Sequence, residues 1–224
     1  MAALYGAQAL SPEFKRARGT NQKDQRRQEI LDCAARLMAQ RDYATLSVQL
    51  IAQEAGIVKG TLYLYFKTKE ELFLSLHLRE SLNLLELWAL RIASMEDWGL
   101  LPKVSAELLA EHSLVMKLLV ITNQILEHNI TFEKAQEFKW ALHRGLLALG
   151  GQVEERLGWM KPGQGVGFIS HLLFYAMGLW PACDQAPIIK EVYAAEPQLG
   201  LAVPDFSSHL EQAASWFLEG MSRG

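Results

Sequence analysis

The chain has 224 residues, of which 50% are hydrophobic and 21% are charged, as is typical of a globular protein and not of a disordered one. No uninterrupted apolar run reaches the roughly 18 residues that a membrane span needs, and no secretory signal is recognisable at the N-terminus. The two cysteines, Cys33 and Cys183, lie far apart and lack metal-ligand spacing. This usage predicts no disulfide framework and favours a reducing cytoplasm.

The net charge of −3 is unevenly distributed along the chain. Residues 1–80 hold 12 Lys and Arg against 9 Asp and Glu, whereas the remainder holds 10 against 16. A basic N-terminal part on an acidic body suits a polyanionic partner at one end, although solvated surface charge produces similar imbalances.

Residues 1–24 are predicted to form a flexible basic arm. Residues 1–20 show no periodicity, and the run LSPEF at 10–14 resembles a cloning scar, so residues 1–14 carry no weight in the fold prediction. The arm residues Arg16, Arg18 and Lys23 could enter a minor groove of DNA or could simply be exposed surface charge.

Three helices are predicted between residues 25 and 66. The first begins at residue 25 and carries apolar residues at helical spacing. Ser47 is a favourable N-cap for the second, and Gly56 ends it, because glycine can adopt the left-handed conformation. The third runs from about Lys59 to Phe66.

The rest of the chain is also predicted to be helical. A capping box, with Thr68 as N-cap and Glu71 three residues later, begins a helix that runs to about Ser94. Further helices are predicted over 102–110, 113–128, 131–157, 164–182 and 205–222, with a short one around 188–195. The helix over 131–157 is expected to bend or break at Gly150 and Gly151. Because no alternating strand pattern occurs, the predicted fold class is all-α.

The segment SVQLIAQEAGIVKGTLYLYF at 47–66 says most about function. It predicts a helix, a glycine turn and a second helix, with the small Ala52 allowing a close crossing and Ile51, Ile57 and Leu62 facing the first helix. The second helix then has an outward face suited to the DNA major groove, since lysine binds guanine or phosphate, threonine a base edge and tyrosine a phosphate. That face consists of Lys59, Gly60, Thr61, Tyr63 and Tyr65.

Residues 26–73 resemble the DNA-binding domain of the tetracycline-repressor (TetR) family of transcriptional regulators. The matching runs are IAQEAG at 51–56 and KGTLYLYF at 59–66, preceded by apolar residues of the first helix and followed by Lys67, Lys69, Glu70 and Leu72. The resemblance implies a helix-turn-helix DNA-binding domain over 25–72 and a helical-bundle ligand-binding and dimerisation domain over 73–224. It also implies a homodimer on a palindromic operator of double-stranded DNA.

The resemblance further implies a set of DNA contacts. Lys59, Gly60 and Thr61 would lie near bases, and Tyr63, Tyr65 and Lys69 would contact phosphates. Ser47 and Gln49 are additional candidates. The alternatives are that the tyrosines are half-buried aromatic residues and that the lysines are solvated.

Two positions depart from the family pattern. Val58 stands where the family usually has a serine-like N-cap, so one anchor of the recognition helix, with its phosphate contact, is expected to be missing. Asp42 stands where a glycine commonly ends the first helix. Neither departure changes the predicted fold.

By the same resemblance, the last two long helices would form a four-helix interface with their copies in a second subunit, although ordinary core packing would give the same apolar pattern. The interface candidates are Ile169, Leu173, Ala176, Gly178, Trp180, Leu210, Ala213 and Phe217.

A cavity for a small-molecule effector is expected among the middle helices. The candidate lining residues are Trp88, Met116, Asn123, Trp140, His143 and Tyr175. For each of them a core or surface position is the favoured alternative, and the sequence does not identify the effector. The six histidines form no pair with metal-ligand spacing, so neither a metal nor a cofactor is expected.

Three classes of function compete for this sequence. A ligand-gated repressor would release its operator when the effector favours a spacing of the two heads that no longer matches the DNA. A helical enzyme is disfavoured, because no Gly-rich phosphate loop, Gly-x-Ser-x-Gly elbow or HExxH motif is present, and the prediction is that the protein is not an enzyme. A helical adaptor would need apolar groups facing outward over 47–66, where this sequence has Lys, Thr and Tyr.

Overall fold

A computed structural model of the protein describes residues 12–201 and 203–223, with side chains from residue 22 onward. Within those ranges the structure is built from helices and contains no strand, which confirms the all-α fold class. The helices are α1 (Pro12–Gln40), α2 (Val48–Glu54), α3 (Lys59–Leu62), α4 (Lys69–Ala93), α5 (Leu101–Glu111), α6 (Ser113–Thr122), α7 (Phe132–Leu157), α8 (Gln164–Cys183), α9 (Pro187–Ala195), α10 (Pro197–Gly200) and α11 (Phe206–Ser222).

The chain divides into two compact units, one ending at Lys67 and the other beginning at Thr68. The first contains α1, α2 and α3, which pack around fully buried residues that include Ile30, Ile51 and Leu62. The second contains α4 to α11 around a core in which Trp88, Phe168 and Leu172 are fully buried. Each unit therefore has a hydrophobic core of its own.

The first helix begins earlier than the sequence predicts. It starts at Pro12, so residues 12–24 are helical where a flexible arm was expected; the remainder of that arm, residues 1–11, lies outside the described residues. Lysine, arginine and glutamine are good helix formers, and proline is tolerated in a first turn, so the helix can continue without an apolar face. The apolar periodicity marks only where α1 begins to pack against other helices.

Side-chain caps fix the beginnings of α2, α4, α7 and α11; at α7, Thr131 Oγ1 accepts the backbone N–H of Lys134 at 3.4 Å. Ser47 Oγ accepts the backbone N–H of Leu50 at 3.1 Å, and Thr68 Oγ1 accepts that of Glu71 at 2.9 Å. Asp205 caps α11 in the same way at 2.8 Å. The N-caps predicted at Ser47 and Thr68 are thus confirmed, and they set the entry of the chain into α2 and α4.

The predicted break at Gly150 and Gly151 is wrong, because α7 is continuous from Phe132 to Leu157. The two glycines do not share a role. A Cβ on Gly150 would lie 2.6 Å from the backbone nitrogen of Val166, so this glycine permits α7 and α8 to cross closely; Gly151 is exposed and meets nothing. Packing against α8 outweighs the roughly 1 kcal/mol that a glycine costs in a helix interior.

Two further helices end before the predicted residue. Regular α-helix stops at Thr122 in α6, and a short 3₁₀ helix over Leu126–Asn129 follows it. α3 ends at Leu62, and the chain continues to Phe66 in tight turns, such as the bond from Tyr65 N–H to the Leu62 carbonyl oxygen at 2.9 Å. Gly60 and the β-branched Thr61 both have low helix propensity, which accounts for a single regular turn.

α8 is long and apolar enough to span a membrane by length and composition alone. Three of its residues, Phe168, Ile169 and Leu172, are fully buried in the core of the second unit. α8 therefore packs one side into that core, although most of its apolar stretch is not buried.

Candidate nucleic-acid interface and ligand cavity

A glycine turn joins α2 to α3. Gly56 has a φ of 64°, in the left-handed region that favours glycine, and the backbone N–H of Ile57 donates to the Ala52 carbonyl oxygen at 2.9 Å. Ala52 is fully buried, as the close crossing of the two helices requires. The turn ends α2 and changes the direction of the chain before α3 begins.

The α3 turn presents a mixed exposed face. Lys59, Gly60 and Tyr63 are exposed, with Tyr63 42% accessible, whereas Thr61 and Tyr65 are half-buried. The Lys59 Nζ lies 5.8 Å from the centre of the Tyr63 ring, so the two side chains share one patch. Apolar Leu64, 74% exposed, extends the patch and was not among the sequence candidates.

Tyr65 and Leu64 border a surface groove of about 830 Å³ beside α1, which also contains Lys23 and Arg26. Arg27, on the same helix, lies over the ring of the fully buried Phe66 at 4.8 Å. Glu29 lies in the same groove and forms an ion pair with Arg26 at 2.7 Å, so the charge beside Tyr65 is mixed.

The remaining DNA-contact candidates lie at the beginnings of helices. Ser47 and Gln49 are exposed at the first turn of α2, and the Ser47 hydroxyl is engaged as the cap. Lys69 is the first residue of α4, in the second unit, and is half-buried. Burial lowers the pKa of Lys69, and the charge of Glu70 opposes that shift.

The second unit contains an apolar cavity of about 640 Å³. Three sequence candidates, Asn123, Trp140 and His143, line it, and the rings of Trp140 and His143 meet edge to face at 5.6 Å. The full lining is His77, Leu119, Thr122, Asn123, Gln136, Phe138, Lys139, Trp140, Leu142, His143, Leu146, Ser170, Leu173, Phe174 and Met177. The cavity thus lies between α4, α6, α7 and α8.

The other three ligand candidates do not line this cavity. Trp88 and Met116 are fully buried in the core, and Tyr175 packs on the core with its ring 6.3 Å from that of Phe217. Their assignment as ligand contacts is corrected accordingly. Core and cavity linings are both apolar, so helical spacing could not tell them apart.

Sequence reasoning missed His77 and Thr122, which form the most buried polar pair of the cavity wall. The signal was a histidine inside the mostly apolar run LFLSLHL at 72–78. Metal-ligand spacing does not detect a histidine of this kind, and no cluster of His, Cys, Asp or Glu suited to a metal occurs among the described residues.

Comparison with known proteins connects both units to one family. Residues 30–76 match the family described as bacterial regulatory proteins, tetR family, and residues 101–224 match the tetracyclin repressor-like C-terminal domain. The chain belongs to the TetR family. The second match alone spans more than half of the chain.

Individual relatives share the family features over different spans. The fatty acid metabolism regulator protein of Bacillus subtilis (strain 168) is 42% identical over 55 residues, which are 25% of this chain and only 28% of that protein. The structure of the fatty acid degradation regulator FadR from Bacillus halodurans is similar with a TM-score of 0.56 and 18% identity, covering 86% of this chain and 94% of that one. The FadR of Bacillus subtilis, solved with stearoyl-CoA, gives a TM-score of 0.53 and 23% identity, covering 86% and 98%. At these identities the structures establish the fold.

The two departures from the TetR pattern are visible in the first unit. Val58 is the N-cap of α3, makes no side-chain cap hydrogen bond and is 72% exposed. Asp42 has an extended backbone and precedes a 3₁₀ turn at Tyr43–Thr45, whose Tyr43 is buried. The TetR head therefore keeps its fold without a capped recognition helix.

The residues predicted for a TetR-type dimer interface fall into three groups by burial. Ile169, Ala176, Leu210 and Ala213 are fully buried within the protomer, so they are not available to a partner and that assignment is corrected. Leu173, Trp180 and Phe217 are half-buried against the core. Gly178 is exposed, and a Cβ placed on it would meet nothing within 4 Å.

Proposed function

We propose that this protein is a transcriptional repressor that binds a palindromic operator as a homodimer and releases it when a small apolar molecule occupies the cavity of the second unit. The observation that carries the proposal is the exposed Lys59–Tyr63 patch on a single helical turn held by the Gly56 turn. A helix that belonged to the core would not expose the Lys59 ammonium and the Tyr63 hydroxyl. A DNA duplex provides hydrogen-bond acceptors for both groups at its major groove.

The DNA contacts follow from chemistry and exposure. Lys59 reaches a guanine edge or a phosphate, and Gly60 allows close backbone approach because its position is open. Thr61 contacts a base edge, and the hydroxyl of Tyr63 contacts a phosphate. Tyr65, Ser47 and Gln49 act at the margins of the interface as phosphate or sugar contacts, and Lys69, in the second unit, contacts a phosphate.

The proposed dimer interface is the exposed side of α8 and α11, which pack on each other. On α8 the exposed residues His171, Phe174 and Gly178 recur every three or four residues, and on α11 Gln212, Trp216 and Gly220 do the same. Phe174 is 63% and Trp216 is 58% exposed, which is unusual for aromatic residues of that size on two adjacent helices. The two glycines have open positions that a partner's backbone can approach.

The cavity has the size and lining of a small-molecule site, since such sites are commonly about 300–1,000 Å³ and mostly apolar. The FadR relative was solved with stearoyl-CoA, whose acyl chain is apolar, and this supports an effector with a large apolar part. Effector binding that favours one of two arrangements of the dimer would weaken operator binding by the same coupling free energy. The family and the residues both favour a cytoplasmic regulator and not an enzyme.

The test is selection of bound sequences from random duplex DNA with the full chain, followed by measurement of operator affinity with and without small apolar compounds. Recovery of a palindromic sequence whose binding is weakened by a subset of compounds is the expected result. Failure to enrich any sequence would favour a protein-binding head, and enrichment without release by any compound would contradict the effector part of the proposal.

A further inference from the structure

Most of the cavity wall is apolar, but one side contains a tightly bonded polar pair. His77 is 2% and Thr122 is 3% exposed, and Thr122 Oγ1 lies 2.6 Å from His77 Nδ1. The same hydroxyl lies 2.7 Å from the Leu118 carbonyl oxygen, one turn earlier on α6. Both residues line the cavity.

The proton count of this triad fixes the histidine tautomer. A threonine hydroxyl has one proton to donate, and a carbonyl oxygen can only accept. If that proton goes to Leu118, as in the usual back-bond to the fourth residue before, then His77 Nδ1 must carry a proton and donate it to Thr122. The opposite arrangement would leave two oxygens 2.7 Å apart with no proton between them.

The imidazole is therefore a neutral ring whose Nε2 is an acceptor. Burial, with a smaller effect from the charge of Lys139, lowers the pKa of His77 to about 3, so the ring stays neutral near pH 7. Among the described residues, Nε2 has no hydrogen-bond partner, and the nearest ring is that of Phe138 at 5.4 Å. A ligand that donates to Nε2 would pair a lone pair for which the described part of the chain supplies no donor.

The charged groups near the cavity narrow the ligand class. Lys139 is itself paired with Glu127 at 2.6 Å, so a ligand anion would have to compete for it. The positive charge of Lys139 also disfavours a cation beside His77. A carboxylate would bring lone pairs toward the lone pair of Nε2, and an ether or thioester has no proton to offer.

We propose that the effector is a neutral, largely apolar alcohol whose hydroxyl group donates a hydrogen bond to His77 Nε2. This inference rests on the proposed function of the cavity as an effector site, and it adds the chemistry of the effector's polar end.

The test compares two isomers that differ in the donor only: decyl alcohol and methyl nonyl ether. Calorimetric titration of the full chain, without DNA, should show the alcohol binding about tenfold more tightly, as expected for one additional hydrogen bond to a buried acceptor. Decanoate and decylamine are the anionic and cationic comparisons. Equal affinities of alcohol and ether, or tighter binding of either charged compound, would overturn the proposal.

Two variants separate the acceptor role from a structural one. His77→Phe should bind the alcohol and the ether with similar affinity, because the acceptor is gone. Thr122→Val removes the oxygen that holds the proton on Nδ1, so Nε2 can become a donor. The ether should then bind more tightly than it does to the unaltered protein, and the alcohol preference should shrink. An unchanged preference in Thr122→Val would overturn the tautomer argument even if His77→Phe does not fold.

Ser170→Ala is the matched control, since Ser170 is the other hydroxyl of the lining. It should keep the tenfold preference for the alcohol; loss of the preference there would assign the donor site to Ser170 and contradict the proposal. Because these titrations contain no DNA, they test the alcohol specificity of the cavity independently of the proposed repressor function. Preferential alcohol binding without operator release would count against the effector role, whereas release by other compounds without an alcohol preference would count against this inference.

Discussion

The backbone N–H of Ile57 donates to the carbonyl oxygen of Ala52 at 2.9 Å, closing the turn from which α3 leaves. The residue between them in the turn, Gly56, has a φ of 64°. The direction of the proposed recognition turn therefore depends on one hydrogen bond and one left-handed residue.

Gly56→Ala should destabilise the first unit by about 1–2 kcal/mol, the cost of a left-handed conformation for a residue with a Cβ. Chemical denaturation measures the effect. Gly60→Ala is the matched control, because its position is equally open but no left-handed φ is required there. It should leave stability unchanged or slightly higher, since alanine is the better helix former. Equal stability of Gly56→Ala and Gly60→Ala would show that a side chain at residue 56 does not strain the turn.

Stability should fall with acidity because of His77. The pKa of His77 is lowered from 6.5 to about 3 by burial, so the folded state binds fewer protons than the unfolded state between those values. The stabilisation is present above pH 6.5 and is lost progressively as the pH falls toward 3. Between pH 7 and pH 5 the loss from this residue should be about 2 kcal/mol.

Urea unfolding at the two pH values measures that loss. His77→Gln, which keeps a hydrogen-bonding side chain that does not titrate, should show a smaller decrease. The same decrease in both proteins would mean that His77 titrates normally in the folded state.

The helices and their N-caps could be predicted from the sequence because apolar spacing and capping residues are local properties. Ser47 and Thr68 are examples, each bonded to the residue three positions later. Whether an apolar residue lies in the core, lines a cavity or stays exposed depends on tertiary contacts, which are not local. Trp88 and Trp140 both belong to long helices, yet one is fully buried in the core and the other borders the cavity at 54% exposure.

The same limit explains the dimer candidates. α8 has apolar residues around most of its circumference, so the sequence could not separate Ala176, which is fully buried, from Phe174, which is exposed. The close approach at Gly150 was likewise invisible, because it depends on where α8 crosses α7. The spacing of apolar residues predicts which side of a helix is buried only when the opposite side is polar.

Gly178→Arg combined with Trp216→Glu should give a protein with unchanged helicity that is monomeric and binds the operator weakly, because one head covers too few base pairs for specificity. Sedimentation at micromolar concentration measures the oligomeric state. The control is Leu90→Glu, an equally drastic change at a leucine that is 61% exposed on α4. A dimer that survives the double substitution would exclude this side of α8 and α11 as the interface.

Neither cysteine should be needed for DNA binding. Cys33 is buried beside α1's own Arg36, whose Nη2 lies 3.1 Å from Sγ, and Cys183 donates to the Pro204 carbonyl oxygen at 3.3 Å. Burial, followed by the charge of Asp205, raises the pKa of Cys183, which makes its thiol less reactive. Cys33→Ala/Cys183→Ala should bind the operator like the unaltered protein, with and without peroxide. Loss of binding at full helicity would reveal a thiol switch.

The central claim is that the α3 turn and Lys69 contact DNA, and operator binding by three single variants tests it most directly. Tyr63→Phe should weaken binding by about 0.5–1.5 kcal/mol on every sequence, because a phosphate contact carries no base information. Lys59→Ala should instead relax the preference at one position per half-site, costing roughly 1–3 kcal/mol there. Lys69→Ala should lower the salt dependence by about one unit for each phosphate that the lysine neutralises in the unaltered protein. All three should keep full helicity. Unchanged operator affinity of all three variants would contradict the proposed recognition face, and unfolding of Tyr63→Phe would place that ring in the core.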